Sequence, residues 1–111
     1  MKQETAQEKH HPFTVQCSIQ TVKEGKLAGY TVSVKDALWV KGIESTASSK
    51  MLQGFKPLEH ASAVEKTLSQ GATIIGKTVQ DEFGFGSFCT QVGIGYTIPT
   101  NPHDETRCVG G

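Results

Sequence analysis

The residue best placed for chemistry in this chain is a lysine at the end of an apolar strand, Tyr30-Thr-Val-Ser-Val-Lys-Asp36. Side chains alternate along a strand, so Lys35 shares a face with Thr31 and Ser33 and not with the valines. Burial disfavours the ammonium form, so a site that encloses Lys35 would lower its pKa and leave a neutral amine able to accept protons. Lys35 is therefore a candidate general base. The alternative is an ordinary strand-end lysine whose charge reaches solvent.

A second pattern, Gly71-Ala-Thr-Ile-Ile-Gly-Lys-Thr78, matches the phosphate-binding sequence GxxxxGK[ST]. That loop needs a strand before the first glycine and free backbone amides between the two glycines. Here a predicted helix precedes Gly71, and residues 72–75 have the β-branched character of a buried strand. Amides engaged in a sheet cannot cradle a phosphate. We therefore predict a turn, a strand and a surface lysine at Lys77, and no nucleotide site.

The remaining polar residues have weaker patterns. Asp36 and Glu82 are candidates for a carboxylate pair, but nothing in their spacing favours one, and we expect them to hydrogen-bond loop amides. The four histidines and three cysteines lack the spacing of metal ligands, so we predict no metal site.

The bulk composition excludes several classes of function. Eleven basic and eleven acidic side chains give zero formal charge, which argues against direct binding of nucleic acid or membranes. The odd, unpatterned cysteines indicate reduced thiols in a cytosolic protein. No apolar segment follows Met1 and no long apolar run occurs, so we expect neither a signal peptide nor a membrane span. We predict a cytoplasmic protein.

Hydrophobic periodicity predicts an α/β chain. Residues 1–12 are interpreted as a polar tail and residues 13–111 as part of one domain. Strand, helix and strand follow one another in a spacing typical of a βαβ unit. The predicted elements are strands over 13–20, 30–35 and 72–75, a helix over 59–70 that ends at Gly71, and single helical turns near 48–52 and 80–83.

A series of short motifs then appears in a fixed order across residues 26–111, and together they resemble the amidase signature family. The matching segments are Lys26-Leu-Ala-Gly29, Thr31-Val-Ser-Val-Lys-Asp36, Thr46-Ala-Ser-Ser-Lys-Met-Leu52, Gly71-Ala-Thr-Ile-Ile-Gly-Lys-Thr78, Asp81-Glu-Phe83, Gly86-Ser87, Asn101-Pro-His-Asp104, Arg107 and Gly110-Gly111. The resemblance implies the N-terminal part of the amidase signature fold, a mixed sheet flanked by helices that is incomplete in this chain.

The resemblance also implies a catalytic role for Lys35. In this family the lysine at this position is the base of a serine, cis-serine, lysine triad, and the chemistry is that of an activated serine with lysine replacing histidine. The bridging serine is expected just beyond Gly110-Gly111, and the nucleophile further on. Ser48, Ser49 and Ser87 match neither position, so only the lysine of the triad is present. The family's glycine loop at Phe85, Gly86 and Ser87 borders the substrate pocket; the alternative is ordinary loop packing.

Within the family, the similarity is greatest to the glutamine-hydrolysing A subunits of tRNA-dependent amidotransferases. It implies glutamine as substrate and ammonia for transamidation of misacylated Glu-tRNA(Gln) or Asp-tRNA(Asn). The implied partners are the remainder of the amidase domain and a B subunit, joined by a C subunit where one is present. No cofactor is expected in this chain, because ATP and magnesium would serve the B subunit.

Two other functions remain open from the sequence. One is a stand-alone amidase for another small amide, since Phe85, Phe88 and Ala37 depart from the residues usual in the family, as does Val109. The other is a truncated or split fragment without activity of its own.

Overall fold

The computed structural model describes residues 5–111. It contains two α-helices, α1 (Ala6–His10) and α2 (Ser62–Ser69), and three strands, β1 (Phe13–Ile19), β2 (Thr31–Lys35) and β3 (Thr73–Thr78). Short 3-10 helices lie at Lys50–Leu52 and Glu82–Gly84. None of the helices in this range has the length and apolar character needed to cross a bilayer.

The three strands form one mixed sheet with the order β1-β3-β2. The central strand β3 runs antiparallel to β1 and parallel to β2. A parallel pair needs a crossover connection, and the segment containing α2 supplies it. The predicted βαβ unit and mixed sheet are therefore confirmed. This topology sets the end of β2 next to the end of β3, with Lys35 opposite Thr78.

The core lies between the sheet and α2. Val64 and Leu68 are four residues apart, so they project from the same face of the helix, and each is 2% exposed. They pack with Val34, Val40 and Ile74. Burying each of these side chains stabilises the fold by roughly 1.5–3 kcal/mol.

Helix α2 is shorter than the predicted span. It begins after Ala61, which provides no side-chain cap. It ends before Gln70, and Gly71 follows with φ of +90°. That left-handed conformation is favourable only for glycine and common directly after a helix. The predicted C-terminal end is confirmed, because the glycine is a local signal.

The prediction of a surface lysine at Lys77 is wrong. Strand β3 extends to Thr78, and Lys77 is fully buried. The reason is a shift in the register between β2 and β3. Val32 pairs with Ile74, but the next residue, Ser33, pairs with Gly76, so Ile75 is skipped. After the skip, Lys77 lies beside the core residue Val34, and neighbouring side chains in a sheet share a face.

The segment predicted to be a polar tail contains helix α1. Thr5 and Glu8 form a reciprocal capping box at its start, an arrangement that satisfies two otherwise unpaired backbone donors. His10 anchors the segment, since its carbonyl accepts from the amide of Thr100 at 3.0 Å and its Nδ1 lies 2.9 Å from the Thr100 hydroxyl. The part of the predicted tail over residues 1–4 lies outside the described residues.

Candidate functional site

Lys35 is the last residue of β2 and its side chain is exposed. Thr31 and Ser33 are exposed on the same strand, whereas Val34 is buried, so the predicted alternation is confirmed. Burial raises the pKa of the Cys89 thiol, the charge of Asp81 adds to that rise, and the charge of Lys35 opposes it.

Asp36 follows Lys35 and is 1% exposed. Its backbone is held from both sides: its amide donates to the Thr78 carbonyl at 3.0 Å, and its carbonyl accepts from the Ser45 hydroxyl at 2.6 Å. Its carboxylate accepts from the Thr46 hydroxyl at 3.2 Å. The hydrogen bonds from loop amides that were expected for the Asp36 carboxylate are not among its contacts within residues 5–111, where the Thr46 hydroxyl takes that place. Within residues 5–111, Asp36 forms no hydrogen bond with Glu82, the other candidate for a carboxylate pair, whose side chain is half-buried.

Lys77 supplies the remaining contacts to Asp36. Its Nζ donates to the Asp36 carbonyl at 2.9 Å and lies 3.5 Å from the carboxylate oxygen Oδ1. Burial lowers the pKa of Lys77, and the neighbouring Asp36 carboxylate opposes that shift. Sequence reasoning placed Lys77 at the surface, because its burial depends on the register shift.

Asp81 organises the glycine-rich loop that carries Cys89. It is 1% exposed, and its carboxylate accepts from the amides of Gln91 at 2.9 Å and Cys89 at 3.0 Å. These backbone donors, that of Gln91 foremost, hold the pKa of the Asp81 carboxyl below its usual range. Gly86 also packs closely on Asp81, since a Cβ at Gly86 would collide with the carboxylate. In the sequence, Asp81 was marked only as the first residue of the family motif Asp81-Glu-Phe83.

The predicted pocket loop lies open at the surface. Phe85, Gly86 and Ser87 are all exposed, with Phe85 81% exposed. The backbone of Gly111 lies against Gly86, because a Cβ on Gly111 would collide with the Gly86 carbonyl oxygen and lie 3.1 Å from the Cα of Ser87. The loop therefore has Asp81 on one side and the Gly110-Gly111 segment on the other.

Two buried serines have structural roles. The Ser48 hydroxyl donates to the Gln80 carbonyl at 2.5 Å. The Ser49 hydroxyl accepts from the Met51 amide at 3.3 Å. Both are fully buried, so neither can serve as a nucleophile without rearrangement. Among residues 5–111, no three His, Cys, Asp or Glu side chains are grouped to hold a metal ion.

The chain matches one family of known proteins along almost its whole length. The amidase family model matches residues 4–111. The A subunit of glutamyl-tRNA(Gln) amidotransferase from Halobacterium salinarum is 46% identical over 100 residues, which are 89% of this chain. The chain spans 23% of the length of that relative.

Solved structures agree with the sequence relatives. The crystal structure of the corresponding A subunit from Thermotoga maritima superposes with a TM-score of 0.83 at 27% identity, over 95% of this chain and 23% of that chain. An allophanate hydrolase from Kluyveromyces lactis is similar with a TM-score of 0.62 at 28% identity, over 75% of this chain and 13% of that one. The three-stranded sheet is thus a fragment of the amidase signature fold.

Proposed function

Because the chain belongs to the amidase family, we propose that it forms the lysine-bearing part of a glutamine-hydrolysing amidotransferase A subunit. The observation that carries this proposal is the placement of Lys35. It is exposed at the end of β2, directly before Asp36, whose backbone is anchored on both sides. The 46% identity to an amidotransferase A subunit supports glutamine as the amide.

In the proposed mechanism Lys35 acts as the base. Its neutral amine accepts a proton from a bridging serine, which in turn deprotonates the nucleophilic serine. The alkoxide attacks the side-chain amide carbon of glutamine, and the C–N bond breaks as the nitrogen takes up a proton and leaves as ammonia. Water then hydrolyses the acyl-enzyme to glutamate and restores the serine. The bridging serine and the nucleophilic serine of this triad do not correspond to any serine within residues 1–111.

The charge state of Lys35 depends on what covers it. Its side chain is exposed in this chain. We propose that the remainder of the amidase domain encloses the side chain and lowers its pKa by desolvation.

The same proposal assigns ATP-dependent activation of the tRNA-bound carboxylate to a B subunit, with a C subunit where one is present. The zero net charge of this chain is in keeping with that division, because tRNA binding requires a concentration of basic side chains. Ammonia would pass from this subunit to the partner.

The test uses the native polypeptide that carries residues 1–111, isolated with its associated subunits. We expect ammonia release from glutamine, and amidation of Glu-tRNA(Gln) or Asp-tRNA(Asn) that requires ATP. Glutamate is the matched control substrate, since it lacks the amide. Absence of ammonia release from glutamine, with the complete assembly present, would contradict the proposal.

A second candidate is a stand-alone amidase for another small amide. It is favoured by the structural similarity to an allophanate hydrolase and by the two exposed aromatic side chains at the pocket loop, Phe85 and Phe88. A panel of small amides, assayed with and without the associated subunits, separates the candidates. Hydrolysis of another amide in preference to glutamine, independent of any partner, would favour the second.

A further inference from the structure

We propose that Lys77 is a positioning residue for Lys35: it fixes the backbone at the end of β2 and so holds the base in place. This inference rests on the proposed function, because it assigns a task to Lys77 only if Lys35 acts as the base. It concerns a residue whose side chain is buried behind the sheet and does not touch the substrate.

The contacts place Lys77 directly behind the candidate base. It lies beside Val34 in the register of the sheet, and its Nζ donates to the Asp36 carbonyl at 2.9 Å. Lys77 thus engages the residues immediately before and after Lys35. A base must be held within hydrogen-bond reach of the proton that it accepts, and a displacement of about 1 Å can cost on the order of 10²-fold in rate.

Stability alone is a poor explanation for a lysine at this position. A buried ion pair is often no more stabilising than well-packed apolar side chains of similar volume, because both charges lose their hydration. Here the pair is also imperfect, since Oδ1 of Asp36 has no hydrogen-bond partner within residues 5–111. An apolar residue beside Val34 would also pack against the core, although it would leave the buried Asp36 carboxylate without its cation. What it would lack is the donor to the Asp36 carbonyl.

That donor acts on a backbone already restrained on its other side. The Asp36 amide is bonded to Thr78, and the Ser45 hydroxyl shares its carbonyl with Lys77. Removal of the lysine donor leaves the Asp36 carbonyl bound to Ser45 alone. This loosens the Asp36–Ala37 peptide, whose amide is held by the Gln80 side chain at 2.7 Å, and the shift can pass back along the chain to Lys35. The expected consequence is loss of alignment at Lys35 and not loss of substrate binding.

The experiment compares Lys77→Met with wild type in the native polypeptide, with glutamine as substrate. Methionine has a similar volume and no donor. We expect kcat to fall roughly 10- to 100-fold with KM unchanged. Lys66→Met, at an exposed position on α2, is the matched control and should retain the wild-type kcat. Lys77→Gln keeps an amide donor and should recover part of the lost rate.

A double-mutant cycle separates positioning from simple destabilisation. If Lys77 acts through Lys35, Lys77→Met should add no further loss of kcat in a Lys35→Ala background. An undiminished kcat in folded Lys77→Met, or an equal loss in both backgrounds, would overturn the inference. Where Lys77→Met does not fold, Asp36→Asn/Lys77→Met removes both buried charges and takes its place in the same comparison.

Different results would refute the proposed function and the positioning role of Lys77. Retention of glutaminase activity by Lys35→Ala would refute the proposed function itself. Loss of activity in Lys35→Ala with full activity in Lys77→Met would leave the proposed function standing and refute only the positioning role.

Discussion

The side-chain nitrogen of Lys77 donates to the backbone carbonyl of Asp36 at 2.9 Å and lies 3.5 Å from its carboxylate, and both residues are at most 1% exposed. Lys35 precedes Asp36 and is exposed. The chain therefore carries two lysines at the same end of one sheet in opposite environments. The buried one is tied to the backbone, and the exposed one is free to meet a reacting group.

The first prediction concerns stability in alkaline solution. Burial lowers the pKa of Lys77 in the folded protein, whereas an unfolded lysine titrates near 10.4. Between the folded pKa and about 10.4 the unfolded state binds more protons, so the free energy of unfolding rises with pH. The free energy of unfolding of wild type minus that of Lys77→Met should therefore increase with pH in that window. Urea unfolding at pH 7 to 10 measures it.

Other groups titrate in the same range with the opposite sign. Burial raises the pKa of Cys17, Cys89 and Tyr96, so each contributes stability that is lost as pH rises. Cys89 and Tyr96 are present in both proteins, so their contributions cancel in the difference. Burial raises the pKa of Cys17 and the charge of Lys77 opposes that rise, so both proteins are compared in a Cys17→Ala background. A difference that stays constant or shrinks with pH would show that the pKa of Lys77 is not depressed.

The second prediction concerns Asp81 in acid. Its pKa is held down by backbone amides, so its stabilisation is fully present above the unfolded value of about 3.9 and is lost as pH falls through the folded pKa. Asp81→Asn should be less stable than wild type at neutral pH, and the gap should close below about pH 3.9. Urea midpoints from pH 2 to 6 measure the gap. Glu65→Gln, on the exposed face of α2, is the control, and an equal pH dependence in both variants would contradict the prediction.

The third prediction concerns the contact between β1 and β3. A Cβ at Gly76 would lie 2.6 Å from the Phe13 ring and 2.8 Å from the Val15 carbonyl oxygen. Gly76→Ala should destabilise the fold by about 1–3 kcal/mol, the usual range for overpacking. Adding Phe13→Leu removes the ring atoms and should recover part of that loss, as urea unfolding of the two variants would show. An unchanged stability in Gly76→Ala would mean that the strands lie further apart.

The fourth prediction concerns thiol reactivity. Cys108 is exposed, Cys17 is half-buried and Cys89 is buried. Burial also raises the pKa of the Cys17 and Cys89 thiols, which reduces the reactive thiolate fraction at neutral pH. Iodoacetamide labelling followed by peptide mass spectrometry should modify Cys108 first and Cys89 last. Early modification of Cys89 would indicate that its loop opens in solution.

Local signals in the sequence were sufficient for most of the fold. The apolar alternation around Val34, the helical spacing of Val64 and Leu68, and the glycine after α2 each depend on neighbouring residues only. The parallel pairing of β2 and β3 followed from the helix between them. The sheet around Lys35 was therefore predictable, as was the face on which Lys35 lies.

Two features of the site were not predictable in this way. The burial of Lys77 depends on the skipped residue Ile75, and a one-residue shift moves a side chain to the opposite face of a sheet. Without the skip, Lys77 would pair with Lys35 and lie on the same exposed face of the sheet. The role of Asp81 depends on backbone amides eight and ten residues later, and no side-chain pattern encodes those contacts.

The most direct test of the account is the rate of ammonia release from glutamine by Lys35→Ala in the native polypeptide, with Lys66→Ala as the matched control. Because the proposed triad has no other base, we expect a loss of at least about 10³-fold in kcat for Lys35→Ala and the wild-type rate for the control. Substantial activity in folded Lys35→Ala would contradict the assignment of Lys35 as the base.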